Sequence, residues 1–338
     1  MSNKLLQVEA LQTHFFTEEG EVPAVDHVSF HVDPGEIVGI VGESGCGKSV
    51  TSLSIMGLIP TPPGQIVGGD ILFKERNLVN LSEKAMRKIR GNEIAMIFQE
   101  PMTSLDPLFT IGNQMRESLY LHQKMSKKVA NKKVIELLQL VGLARAEEVI
   151  HEYPHQLSGG MRQRVMIAMA MLCEPDLLIA DEPTTALDVT IQAQILDLMR
   201  TLNEEKNTAI LLITHDLAVV AEMCDRMIVM YAGQVVEQGT VREVLKDPTH
   251  PYTKGLIKSI PRMDKKNQAL YSIKGTVPRP KKDRVSCRFA PRCDYAFERC
   301  FGESPGLYEL DNERLSRCFL QDRAKGDAWT DDKTIIRS

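Results

Sequence analysis

Gly42-Glu43-Ser44-Gly45-Cys46-Gly47-Lys48-Ser49 is the stretch that decides the fold. It fits the pattern G-x-x-x-x-G-K-[ST]. Before it, Glu36-Ile37-Val38-Gly39-Ile40-Val41 reads as a short buried strand; after it, Ser49-Val50-Thr51-Ser52-Leu53-Ser54-Ile55-Met56 continues as a helix. Three glycines let the backbone bend tightly around an anion, so that successive N–H groups and the helix N-terminus face it. Gly42, Ser44, Gly45, Cys46, Gly47 and Val50 are therefore candidate contacts for a nucleotide phosphate. Lys48 adds a mobile charge for the β- and γ-phosphates, and the Ser49 hydroxyl is placed to ligate Mg²⁺.

The chain of 338 residues suits two or three folding units at roughly 100–200 residues each. Hydrophobic residues at 43% and charged residues at 25% are ordinary for a soluble protein. A net charge of −4 gives no general attraction to nucleic acid or to an acidic membrane surface. The longest apolar run, from Val165 to Cys173, falls well short of the roughly 20 residues that cross a bilayer. The first residues lack the charged, apolar and small-residue succession of a secretion signal, so a cytosolic location is expected. Seven cysteines in such a chain argue against a disulfide framework and leave core, redox or metal-ligand roles open.

From about Leu5 to Val38, apolar and polar positions alternate between turn markers, as in an antiparallel sheet. Asp70–Phe73 and Glu93–Phe98 read as further strands, and Ile111 to about Leu143 as helix with its lysines on a solvated face. From Ser158 to Ile213 comes helix, buried strand, helix, buried strand, the rhythm of a parallel sheet. Composition shifts near Asp247–Thr253 toward Pro, Lys, Arg and Cys. The expected domains are thus 1–250, with a helical subdomain at about 100–160, and 251–338.

Leu177-Leu178-Ile179-Ala180-Asp181-Glu182 is a buried strand ending in two carboxylates, which is costly unless a cation meets them. Asp181 suits Mg²⁺ held through its water shell, and Glu182 suits the orientation or deprotonation of an attacking water. Ser158, an N-cap, with Gly159 and Gly160 makes a second anion cradle at a helix start. One phosphate loop and two cradles suggest that another subunit presents the second nucleotide.

In order along the chain stand the loop 42–49, Gln99, the signature Leu157-Ser158-Gly159-Gly160-Met161, Asp181-Glu182, Ala186-Leu187-Asp188, and His215 after the strand 209–214. By these motifs the chain resembles the ATP-binding cassette (ABC) family of transport ATPases. The resemblance implies an α/β fold with a RecA-like parallel core, an antiparallel β subdomain, a helical subdomain and a small Cys-rich C-terminal tail. It also implies two cassettes closing head-to-tail around two ATP molecules. Gln99 would touch Mg²⁺ and sense the γ-phosphate, Asp188 would link the two sites, and His215 would bridge γ-phosphate and water. Phe15 or Phe16 would stack on adenine, and the residues alone do not choose between them. Met161 departs from the commoner Gln, with little loss expected because backbone and Ser158 form the cradle.

Gln99–Pro107, Tyr153–Gln156, His250–Thr253 and the tail resemble the oligopeptide and dipeptide importer branch. The resemblance there implies a second, different ATPase subunit, two transmembrane permease subunits and an extracytoplasmic peptide-binding protein. It places the chain peripherally on the cytoplasmic face of the membrane, where a permease helix would dock near Glu100–Pro107. Importers of nickel or other small solutes share much of this pattern. In the tail, Cys287, Cys293, Cys300 and Cys318 have spacings that fit neither a C-x-x-C zinc pair nor the usual ferredoxin run. The same branch carries a [4Fe–4S] cluster on a matching tail, so a cluster is expected there, with zinc or unligated thiols as alternatives. Cys46, Cys173 and Cys224 are expected to be tolerated or core residues. A soluble ATPase of DNA repair would show a second cassette, a coiled coil or a basic surface, and none is visible. An exporter would not carry this tail.

Overall fold

The computed structural model describes residues 4–99, 105–184, 189–260, 271–280, 285–311 and 313–322. Two sheets organise it. β1 (Leu6–Thr17), β2 (Gly20–Val32), β4 (Gly64–Phe73) and β5 (Arg76–Asn77) form an antiparallel sheet ordered β2-β1-β4-β5. Alternation between Leu5 and Val32 is what puts Leu6, Val8, Leu11, Val25, Val28, Phe30 and Val32 on one buried face.

The larger sheet runs β11-β12-β10-β9-β3-β8-β7-β6. At its centre β3 (Ile37–Val41) pairs in parallel with β8 (Ala209–Ile213) and β9 (Arg226–Tyr231), and β7 (Leu177–Asp181) lies between β8 and β6 (Ile94–Ile97). These strands are covered on both sides, which explains their unbroken apolar runs. Val38, Ile40, Leu177, Ile179, Leu211 and Ile213 face the antiparallel sheet and helix α1 (Lys48–Ile55). Ile37, Leu178, Ala180, Ile210 and Leu212 face α6 (Gly159–Met171), α7 (Val189–Lys206) and α8 (Leu217–Met223).

A separate helical core spans Leu105 to Cys173. It is built by α3 (Ile111–Gln123), α4 (Lys127–Leu140), α5 (Ala146–Val149) and one side of α6, with α2 (Glu83–Ile89) preceding it in the chain. The expected helical pattern from Ile111 to Leu143 is thus two helices broken at Lys124, which takes a left-handed φ of 51°.

The tail is joined to the body. β12 (Leu315–Ser316) pairs antiparallel with β10 (Gln234–Thr240) and carries β11 (Tyr308–Glu309) at the sheet edge. Phe289 packs on Tyr231 of β9 and on Tyr252 of α10 (Pro251–Lys258), with ring centroids at 5.2 and 5.4 Å. A segment too polar for a core of its own borrows one from α10, β9, β10 and α9 (Val241–Lys246). No helix among the described residues is long and apolar enough to cross a membrane.

Candidate nucleotide-binding active site

The loop 42–49 hangs between β3 and α1, as its glycines require. A Cβ on Gly47, whose φ is 105°, would come within 2.5 Å of the Ala24 carbonyl oxygen; one on Gly42 would lie 2.3 Å from that of Met230. Either substitution would push the loop off the sheet. Ser44 and Gly45 are exposed at the loop tip, whereas Cys46 is buried and burial pushes its thiol up. Val50 is half-buried on α1. Lys48 is buried, and its Nζ donates to the carbonyl oxygens of Gly42 (2.8 Å) and Glu43 (3.2 Å). Its ammonium is therefore held over the loop chiefly by main chain, with the Cys46 Sγ 3.9 Å away.

At the end of β7, one strand away from β3 across β8, Asp181 is 4% exposed. Burial pushes its carboxyl above the usual carboxylate range, and the Glu182 charge adds to this, against a hydrogen bond from Ser49 and the attraction of Lys48. Its Oδ1 is buried without a hydrogen-bond partner. A buried carboxylate with an unused oxygen beside a serine hydroxyl is the donor set a hard divalent cation requires, so Ser49 and Asp181 fit Mg²⁺.

Glu182 leaves the strand with φ 49°, a left-handed conformation that is strained for a residue with a side chain. Its backbone N–H donates to Ile213 O at 2.8 Å. Gln99 Nε2 donates to Glu182 Oε2 at 3.0 Å, and His215 Nδ1 lies 3.4 Å from Glu182 Oε1. Three residues far apart in sequence thus meet at the C-terminal ends of β6, β7 and β8, where ligands of parallel sheets bind. The His215 side chain is 65% exposed against 15% for Glu182, so the histidine is the outer member.

Ser158 accepts from Met161 N at 3.3 Å and caps α6, with Gly159 also exposed. Nothing lies within 4 Å of where a Cβ on Gly159 would sit, so the cradle is open on that side. Phe15 is half-buried and packs on Gly64 across the β1–β4 ladder, whereas Phe16 is 48% exposed. Asp188, with Ala186 and Leu187, and the stretch Glu100–Ser104 lie outside the described residues. Cys173 and Cys224 sit in or against apolar clusters, and burial pushes the Cys224 thiol up to about 12.

Gln163 was not among the residues the sequence singled out. It is buried on α6, and its Nε2 donates to the Pro183 carbonyl, tying the signature helix to the turn after Glu182. Flanked by Arg162 and Arg164, it gave no sign in the sequence of being buried.

In the tail, Cys287, Cys293, Cys300 and Cys318 line one small cavity with His250, Phe289, Phe297 and Phe319. Burial raises the thiols of Cys293, to about 12, and Cys318, and the neighbouring cysteines raise both further. No group of three or more His, Cys, Asp or Glu among the described residues is arranged to hold a metal ion. Four thiols on one apolar wall fit a soft, thiolate-ligated group in kind, without forming a mononuclear site.

Known proteins resemble the chain throughout. The ABC transporter family matches residues 25–185, and the oligopeptide/dipeptide transporter C-terminal region matches 236–300. An AAA domain model also overlaps residues 151–221. An oligopeptide transport ATP-binding protein of Bacillus subtilis, AppD, is 56% identical over 94% of this chain and 96% of its own. The dipeptide transport ATP-binding protein DppD of the same organism is 51% identical over 95% and 96%. Among solved structures, a dimeric ATP-binding cassette in a post-hydrolysis state with ADP and Pi superposes with a TM-score of 0.64 at 29% identity. It covers 70% of this chain and 99% of that one. The cbiO1 subunit from Clostridium perfringens gives 0.61 at 28%, covering 72% and 92%.

Proposed function

This chain belongs to the ATP-binding proteins of ABC transporters, in the oligopeptide and dipeptide branch, and on that premise we propose that it hydrolyses ATP to power peptide import. The convergence of Gln99 and His215 on Glu182, beside the unpartnered oxygen of Asp181, carries the reading. The names of its relatives favour peptides over nickel or other small solutes.

The loop N–H groups and Lys48 bind the β- and γ-phosphates, while Ser49, Asp181 and Gln99 would hold the metal. When bound, Mg²⁺ neutralises charge between the β- and γ-phosphates. Glu182 accepts the proton of the water that attacks the γ-phosphorus, and His215 orients that water against the γ-phosphate. The Ser158-Gly159-Gly160 cradle, exposed at Ser158 and Gly159, serves a nucleotide on a second, different cassette, with Asp188 linking the two sites. Phe16, more exposed than Phe15, takes the adenine face. The pair of cassettes would sit on the cytoplasmic face of the membrane, on two permease subunits served by an extracytoplasmic peptide-binding protein.

Residues 1–250 form the nucleotide-binding domain and 251–338 a tail whose four cysteines hold a [4Fe–4S] cluster of structural role. Iron and acid-labile sulfide should both be present in anaerobically purified protein, and absence of both would reject the cluster. For the ATPase, Glu182→Gln should lower kcat by about 10²–10⁴-fold while nucleotide still binds. Turnover that survived the substitution would show that Glu182 is not the base.

A further inference from the structure

Glu43 is the second residue of the phosphate loop, where the loop's own chemistry asks nothing of a side chain. Four groups nevertheless hold it, one of them the Cys46 N–H, which donates to the Glu43 carbonyl oxygen at 3.3 Å. Arg292 Nη1 and Nη2 donate to its two carboxylate oxygens at 2.7 and 3.0 Å, a bidentate pair joining residues 249 apart in sequence. Its backbone N–H donates to Tyr252 Oη at 2.9 Å. Its carbonyl oxygen is one of the two that hold Lys48 Nζ.

The clamp is itself fixed. The Arg292 side chain is 5% exposed; its Nε donates to Lys274 O at 2.7 Å, Nη2 donates to Gly275 O at 3.2 Å, and the guanidinium lies 5.7 Å from the Tyr231 ring centroid. Tyr252 is fully buried against Tyr231, with ring centroids 4.7 Å apart. Neither partner has slack, so Glu43 is held from its side chain, its N–H and its carbonyl at once.

We propose that Arg292, assisted by Tyr252, is a positioning residue for nucleotide binding, so that the C-terminal tail sets the affinity of the phosphate loop. The inference rests on the reading that residues 42–49 bind ATP. A loop with three glycines has many conformations to lose when it wraps a phosphate. Fixing one of its residues beforehand removes part of that cost, which appears as tighter binding. Releasing Glu43 also frees the carbonyl that steadies Lys48. Because the loop touches phosphate in the ground state and the transition state alike, the loss belongs in KM rather than kcat.

The test titrates the full-length chain with a fluorescent trinitrophenyl-ATP in the presence of Mg²⁺, using Lys48→Ala as the reference for a disabled loop. Arg292→Met should weaken binding about tenfold, which corresponds to the loss of one charge-assisted contact. Arg292→Lys should recover part of it. In the assembled ATPase, KM should rise with kcat within about twofold of wild type. Glu43→Gln breaks the pair from the loop side and carries the test if Arg292→Met fails to fold. The double variant should bind no more weakly than the worse single one. A folded Arg292→Met that binds as wild type, or a double variant whose losses add, would overturn the proposal. Wild-type protein binding no better than Lys48→Ala would instead remove the ATP reading beneath it.

Discussion

Asp26 lies within β2 and holds three parts of the chain together. Arg288 Nη2 and Gln234 Nε2 both donate to its Oδ2, the latter at 3.0 Å, and His27 Nδ1 lies 2.7 Å from its Oδ1. Burial alone would raise its carboxyl, but the His27 hydrogen bond and the Arg288 charge outweigh it and hold the group below the usual carboxylate range. The folded pKa is therefore the lower one. Its contribution is present above the unfolded value, near 3.8, and is lost as pH falls through the folded value. Asp26→Asn should cost about 1–3 kcal/mol at pH 7, and the gap to wild type should close below about pH 4. Thermal melts of both proteins across that range check it; a gap that did not depend on pH would mean packing rather than charge. Asp181 and Glu182 stood out in sequence because paired acids end an apolar strand downstream of a phosphate loop; without that loop they would pass for an ordinary turn. Glu43 was not, since its partner Arg292 is brought to it only by the tertiary fold.

Among elements, those with strong periodicity were readable. The strand, loop and helix from Ile37 to Ile55 follow from an apolar run, three glycines and a Lys-Ser start. The antiparallel alternation of β1 and β2 and the doubly covered β7 and β8 also follow from pattern alone. β11 and β12 have two residues each, too few for any period to show. β10 misleads in another way, because Gln234, Glu237 and Gln238 suggest a surface strand, yet all three are buried. Glu237 is 0% exposed and is satisfied by Arg314 Nη2 at 3.2 Å and by the backbone N–H groups of Thr249 and His250 at 2.8 and 2.9 Å. Such a network depends on residues up to 77 positions away, and no local window contains it. The four tail cysteines were expected to act together only by resemblance, because their spacings match no ligand run; that they share a cavity is a matter of chain path, which spacing does not encode.

At the scale of the molecule, the residues from 285 to 322 hold the body in several places. Arg288 reaches β2, Arg292 the phosphate loop, Arg314 the buried Glu237, and Arg317 Nε the Val235 carbonyl at 2.9 Å. A chain stopped at residue 280 would leave the backbone edge of β10 bare, strand a carboxylate in the interior without its arginine and uncover Tyr231 and Tyr252. It should accumulate as insoluble protein, whereas the full chain stays in solution. Fractionation of the two expressed side by side checks this, and a monomeric, soluble truncation would refute it. Since synthesis proceeds from the N-terminus, the loop 42–49, Gln99, Asp181, Glu182 and His215 are all made before Arg292. If the clamp sets the loop's affinity, a nascent subunit acquires its phosphate loop first and the arginine that stiffens it later, so the order of translation orders the pocket's assembly.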